Sequence, residues 1–286
     1  MQIPPQIHAS RLTRSLPFAV TLIYKKPMPD KNQFEVVPLR AFNDNYIWTL
    51  RNERYAAVVD PGDEVPVLEY LQRERLELCA ILATHHHPDH VGGVADLLAH
   101  RAVPVYGPRG ESIPTLTHAV GEGDEIEIAQ LGLRFSVLDI PGHTRGHIAY
   151  YGAKSLFCGD TLFACGCGRL FEGTAQQMSA SLAKLAALPE DTLVYSGHEY
   201  TLANIDFARA VEPENEELKL RAASDAQLRK QNRPTLPSTI GREKKTNPFL
   251  RCLEPTVIAA ADKYMGTRVG DPVQVFAAIR KWKNNF

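Results

Sequence analysis

The run Ala83-Thr84-His85-His86-His87-Pro88-Asp89-His90 places four imidazoles and a carboxylate within six consecutive positions. It follows Leu78-Cys79-Ala80-Ile81-Leu82, an apolar run that reads as a buried strand, so the cluster stands at a strand end. In extended backbone successive side chains point to opposite sides, which sends His85 and His87 one way and His86 the other. Asp89 and His90 follow where the chain is expected to turn into a helix beginning near Val91. A single tetrahedral ion cannot easily use His85, His87, Asp89 and His90 together, so the pattern suits a pair of adjacent cations. The isolated residues His8, His100 and His118 carry no such implication.

Further ligands have to come from other strand ends, and three positions offer them. His143 lies in Asp139-Ile140-Pro141-Gly142-His143-Thr144-Arg145-Gly146-His147, after a strand and among glycines that let backbone approach a site. Asp160 closes the apolar run Leu156-Phe157-Cys158-Gly159, and a carboxylate there can bridge two ions. His198 stands in Tyr195-Ser196-Gly197-His198-Glu199-Tyr200. Cys165 and Cys167 are two apart, which is not the spacing of a zinc knuckle, so thiolates are not obvious ligands.

The rest of the chain alternates β-rich and helical runs. Strands are expected at 35–39, 46–50, 55–59, 78–82, 148–151, 155–158 and 193–196, with a hairpin from Glu125-Ile126-Glu127-Ile128 into 133–138 that keeps one face solvated. The segment 63–75 places Val67, Leu68 and Leu71 on one helical face. Beyond about Glu199 strand signals stop and helices follow at 201–211, 214–231, 255–264 and 272–283. The fold class is therefore α/β, two layers of strands covered by helices, with an all-helical C-terminal domain.

Composition narrows the partners. A formal charge of -1 over 286 residues gives no electrostatic footprint for nucleic acid or a membrane surface. No apolar run approaches the roughly 20 residues of a membrane helix. Five cysteines, an odd number scattered along the chain, fit a reducing compartment, the cytoplasm. The stretch 1–33 reads as an N-terminal extension. It has no acidic residue before Asp30, and it fits a disordered leader, an organelle-import segment or a chain whose translation starts at Met28.

With these residues in place the sequence resembles a known superfamily. Thr84-His85-His86-His87-Pro88-Asp89-His90, Gly142-His143-Thr144, Gly159-Asp160-Thr161 and Gly197-His198 resemble the motifs of the metallo-β-lactamase superfamily. Gly166-Cys167-Gly168-Arg169-Leu170-Phe171-Glu172-Gly173-Thr174, Gly197-His198-Glu199-Tyr200-Thr201, Thr246-Asn247-Pro248-Phe249-Leu250-Arg251 and the helical tail are similar, within it, to the glyoxalase II (hydroxyacylglutathione hydrolase) family. The likeness covers about Glu35 to Phe286.

That resemblance implies an αβ/βα sandwich, with a catalytic domain over 34–200 and a helical substrate-binding domain over 201–286. It implies one metal held by His85, His87, His143 and Asp160 and a second by Asp89, His90, His198 and the same Asp160. Zinc is the expected metal, with iron or manganese as alternatives. His86 would not be a ligand, in agreement with the strand alternation, and His147 would orient a ligand or its loop. The implied reaction is hydrolysis of the thioester S-(R)-2-hydroxyacylglutathione, such as S-D-lactoylglutathione, to glutathione and D-lactate, the second step of methylglyoxal detoxification. Asp89 would orient a hydroxide bound by both metals.

Glutathione carries two carboxylates, and the tail offers a place for one. Asp271-Pro272 is a helix start, Asp as cap and Pro at the first position. On that helix Arg280 and Lys283 share a face, while Val273, Phe276 and Ile279 are expected to pack. In the family the matching positions bind the glycine carboxylate of glutathione, and Arg169 and Tyr200 match further substrate contacts. Phe171 stands where some members carry tyrosine, which removes a hydroxyl donor, and Arg169 replaces their lysine. The expected assembly is a monomer. Two rival readings are a glutathione persulfide dioxygenase of the same superfamily, with one iron, and a non-enzymatic metal-binding protein.

Overall fold

Strands with an apolar face have to bury it against another layer, and this chain does so in two sheets. The computed structural model describes residues 34–286, and the expectations for 1–33 lie outside the described residues. The first sheet holds β1 (Glu35–Ala41), β2 (Asn45–Arg51), β3 (Tyr55–Val59), β4 (Glu77–Leu82), β5 (Val105–Pro108) and β6 (His118–Val120) in that spatial order. The second is built from β7 (Glu125–Ile128), β8 (Leu133–Asp139), β9 (Ile148–Gly152) and β10 (Ser155–Gly159). A separate hairpin of β11 (Leu162–Phe163) and β12 (Gly166–Cys167) follows. Then β13 (Leu193–Ser196) and β14 (Ser238–Thr239) complete the second sheet, in the order β14-β13-β10-β9-β8-β7.

Alternation along single strands divides side chains between layers. In β2, Tyr46, Trp48 and Leu50 enter the core between the sheets and Ile47 faces the other way. In β10, Phe157 enters that same core while Leu156 and Cys158 face a helical layer. The first sheet is flanked by α1 (Val65–Glu74), α2 (Pro88–Val91) and α3 (Val94–His100), which contribute Val67, Leu71 and Leu97. On the second lie α4 (Ala175–Ala186), α5 (Thr201–Val211), α6 (Glu216–Lys230), α7 (Ile240–Thr246), α8 (Pro255–Met265) and α9 (Pro272–Asn284). Leu182, Phe207, Val257 and Phe276 from these helices join its outer core. Fully burying one such side chain stabilises by about 1.5–3 kcal/mol, so apolar contact holds the layers together. The architecture is the αβ/βα sandwich with a helical C-terminal region, and residues 34–286 form one compact unit.

Several local expectations need correction. The helix at the histidine cluster starts at Pro88, not near Val91, because proline takes the first helical position after an extended His87. Asp89 and His90 therefore sit in a first helical turn. Strand pairing does not stop at Glu199, since Ser238 and Thr239 pair with Val194 and Leu193; two residues are too few to show a period. Helix α4 is missing from the sequence expectations, although Thr174-Ala175-Gln176-Gln177 carries its start signal. There Thr174 Oγ1 accepts from the Gln177 N–H and the Gln177 side chain accepts from the Thr174 N–H. On α9, Val275 is buried with Phe276 and Ile279, while Val273 is only half-buried. Among the described residues no helix is long and apolar enough to cross a membrane.

Candidate metal centre

The ligand candidates stand where strands end. His85 and His87 follow β4, His143 follows β8, Asp160 follows β10 and His198 follows β13. Strands β10 and β13 are parallel, and β8 reaches the same direction through antiparallel β9, so their carboxyl ends meet. The turn into Asp160 needs a glycine: Gly159 has φ +46°, and a Cβ there would lie 2.2 Å from Thr84 Oγ1.

Two groups of donor atoms converge. His85 Nε2 and His143 Nε2 each lie 3.1 Å from His87 Nδ1. Beside them, Asp89 Oδ2 is 3.5 Å from His90 Nε2 and 3.4 Å from His198 Nε2. Asp160 joins the groups: its Oδ2 lies 3.5 Å from His143 Nε2 and 3.3 Å from His198 Nε2, and its Oδ1 lies 3.4 Å from His90 Nε2.

The outward nitrogen of four imidazoles has its own acceptor. His85 Nδ1 donates to Thr84 Oγ1 at 3.0 Å, and that hydroxyl in turn donates to Asp60. His90 Nδ1 donates to Asp60 Oδ2 at 3.0 Å, His143 Nδ1 to the Arg169 carbonyl at 2.9 Å, and His198 Nδ1 to Asp44 Oδ1 at 2.7 Å. Each partner fixes a tautomer that leaves the inward Nε2 a lone pair. His147 supports the same cluster without facing it, because its Nε2 accepts the Asp160 N–H at 3.1 Å. His86 points away, its Nδ1 2.9 Å from Glu111 Oε2 and its Nε2 3.3 Å from Glu172 Oε1.

The cluster fits divalent cations. His90 Nε2 and Asp160 Oδ1 are buried without a hydrogen-bond partner among the described residues. A buried polar atom left unpaired costs about 1–3 kcal/mol, and both of these are atoms that ligate metals. Burial holds the His85, His87 and His143 imidazoles below their ordinary value, hence neutral and able to ligate. Burial would raise the Asp160 carboxyl, but the His90 and His198 imidazoles hold it well below the carboxylate range. Burial also opposes charge on His198, yet Asp160 and Asp89 lift it to about 10, so the carboxylates demand positive charge here. His85, His87 and His143 form one group of donors close enough to share an ion and Asp89, His90 and His198 another, with Asp160 between them, an arrangement that suits a dinuclear metal centre.

A cavity of about 510 Å³ opens on the cluster. It is lined by His87, Asp89, His143, Asp160 and His198 together with Arg169, Phe171, Tyr200, Arg280 and Lys283. Tyr200 stacks on His198 with ring centroids 4.7 Å apart, and Phe171 meets His143 edge-on while remaining 63% exposed. Arg280 reaches this lining from a buried position: Nη1 donates to the Cys167 carbonyl at 2.8 Å, and Nε has no partner among the described residues. Burial, and then the neighbouring Arg280 charge, push the Lys283 amine down to about 8. A larger cavity of about 1240 Å³ lies among the C-terminal helices beside Tyr264 and Trp282 and holds none of the ligand candidates.

Asp44, Asn45 and Asp60 have no place in the sequence expectations, and Thr84 enters them only as part of the histidine motif, with no role of its own. A local signal exists for Asp60, which follows β3 in the left-handed region at φ +54° and opens the turn-forming run Asp60-Pro61-Gly62. Asp44 and Asn45 carry none, since their partners lie 154 and 44 residues away.

Comparison with known proteins follows the same outline. Residues 42–198 match the model of the metallo-beta-lactamase superfamily, and 199–286 match that of the hydroxyacylglutathione hydrolase C-terminus. A hydroxyacylglutathione hydrolase of Nitrosomonas eutropha is 58% identical over 253 residues, covering 88% of this chain and 99% of that one. One of Vibrio cholerae is 55% identical, with 88% and 99% covered. Among solved structures, the B3 metallo-beta-lactamase BLEG-1 is 28% identical with a TM-score of 0.57, covering 76% of this chain and 99% of its own. TTHA1623, solved in a di-iron-bound form, is 28% identical with a TM-score of 0.53 over 75% of this chain and 100% of its own.

Proposed function

We propose a residue-level mechanism from one premise: the chain belongs to the hydroxyacylglutathione hydrolase family of the metallo-β-lactamase superfamily. It is a thioester hydrolase that acts on hydroxyacylglutathione in methylglyoxal detoxification. The observation that carries the mechanism is that one cavity is lined by the ligand candidates together with cationic and aromatic side chains.

His85, His87, His143 and Asp160 would hold one cation, and Asp89, His90, His198 and Asp160 would hold the other. Zinc is the metal we assign, with iron and manganese compatible with the same donors. Two bound divalent cations supply Lewis acidity to the thioester carbonyl and bring the pKa of water near neutrality. Asp89, the ligand candidate whose side chain is 42% exposed, accepts a hydrogen bond from the attacking water and aims it at the carbonyl carbon. Thiolate is a good leaving group, so no further acid is required. Lys283 and Arg280 bind the glycine carboxylate of the glutathione moiety, and Arg169 and Tyr200 line its path. This assigns the chemistry to 34–200 and the carboxylate contacts of Arg280 and Lys283 to the substrate-binding domain 201–286, with Arg169 and Tyr200 added from the first domain. The five buried cysteines, all free thiols, support a cytoplasmic location.

The test is hydrolysis of S-D-lactoylglutathione, followed by thioester absorbance, with metals quantified on the same sample. Rapid turnover with up to two metals per chain is expected. A fully metallated protein without turnover overturns the substrate assignment, and oxygen uptake with glutathione persulfide would then identify a dioxygenase.

A further inference from the structure

Two consecutive residues at the junction of β1 and β2 each hold one ligand candidate of the Asp89-His90-His198 group. Asp44 Oδ1 accepts from His198 Nδ1 at 2.7 Å. The Asn45 amide donates to Asp89 Oδ2 at 3.0 Å and to the Asp89 carbonyl at 3.3 Å. The oxygen that Asn45 grips is the one that faces His90 Nε2 and His198 Nε2. Backbone bonds lock these residues against the His198 loop: Tyr46 N–H donates to the Gly197 carbonyl at 2.8 Å and Glu199 N–H to the Asp44 carbonyl at 2.9 Å.

The supports of the two groups differ. Asp60 serves both, since it bonds His90 directly and reaches His85 through Thr84. His143 leans on the Arg169 carbonyl. Among the described residues, the side chains of Asp44 and Asn45 bond to the second group and not to the first. A carboxylate behind an imidazole fixes its tautomer and raises its basicity, and a donor on a ligating carboxylate fixes its rotamer.

We propose that Asp44 and Asn45 are positioning residues that set the affinity of the second metal site independently of the first, and so decide whether the enzyme carries one cation or two. The inference rests on the ligand assignment proposed above.

The test is zinc titration of chelator-stripped full-length protein, with metal per chain and both binding constants measured by competition with a chromophoric chelator. Wild type is compared with D44A, D44N and N45A. We expect the first constant unchanged and the second weakened about 10–100-fold in D44A and N45A. D44N, which keeps an oxygen for His198 Nδ1 but loses the charge, should fall between and folds as a near-isostere. An unchanged second constant in all three variants, or equal weakening of both constants, overturns the proposal. A wild-type chain that takes up a single cation overturns the two-site assignment and the proposal with it. Two constants in wild type with no selective loss in the variants overturns the proposal alone.

Discussion

His147 lies against His85 with ring centroids 4.5 Å apart and planes 16° from parallel, and its Nε2 accepts the backbone N–H of Asp160 at 3.1 Å. One imidazole therefore braces a candidate ligand of the first metal and the residue placed between both. Its Nδ1 bonds the Ile148 carbonyl at 3.0 Å, and burial keeps the ring neutral, as accepting from Asp160 requires.

His147→Ala is expected to weaken metal binding about 10–100-fold and to lower kcat, with the KM for the thioester little changed. Metal content after dialysis against a weak chelator checks this. Full metal retention at wild-type kcat would reduce His147 to a packing residue.

Asp160→Ala should lose both cations and nearly all activity, because its two oxygens face donor atoms of both groups. Losing a ligand that binds only the native state also lowers thermal stability, by an amount set by free metal and affinity. Elemental analysis showing two ions per chain in this variant refutes the bridging role.

Lys283→Ala should raise the KM for glutathione thioesters while leaving both metals bound. A hydrogen bond to a charged group contributes about 1.5–3 kcal/mol, roughly a 10- to 150-fold effect. Because burial and Arg280 lower the Lys283 amine to about 8, its charge is present below that pH and lost above it. Wild-type KM should therefore rise through pH 8, and K283A should lack that rise. Identical KM profiles for the two proteins contradict the role.

Gly159→Ala should destabilise the fold by about 2 kcal/mol or more, since a φ of +46° strains any side chain and the new Cβ would meet Thr84 Oγ1 and the His147 ring. A thermal melt several degrees below wild type is the expected result. An unchanged melt would mean the backbone turns differently at this point.

Much of the site was legible because its chemistry is local. The ligand-capable residues are rare types, they sit directly after apolar strands, and His86 separates from His85 and His87 by strand parity alone. Helix α9 was legible from Asp271 and Pro272, and the Asp271 side chain accepts from the Val273 and Gln274 N–H groups. Helix α4 carried an equally local signal in Thr174 and Gln177. The partners behind the ligands were not legible. Asp44, Asn45 and Asp60 are ordinary turn residues until folding brings them to His198, Asp89 and His90.

By itself, the sequence determined the order of strands and helices, the parity that parts His86 from His85 and His87, and which side chains could bind metal. Only the tertiary structure decided which nitrogen of each imidazole turns inward, how Asp160 stands between the two groups, and how far the Lys283 amine is depressed. The physical reason is range. Side-chain parity and donor type are properties of a residue and its neighbours, whereas tautomer, burial and charge environment are set by groups that meet only after the two sheets close on each other.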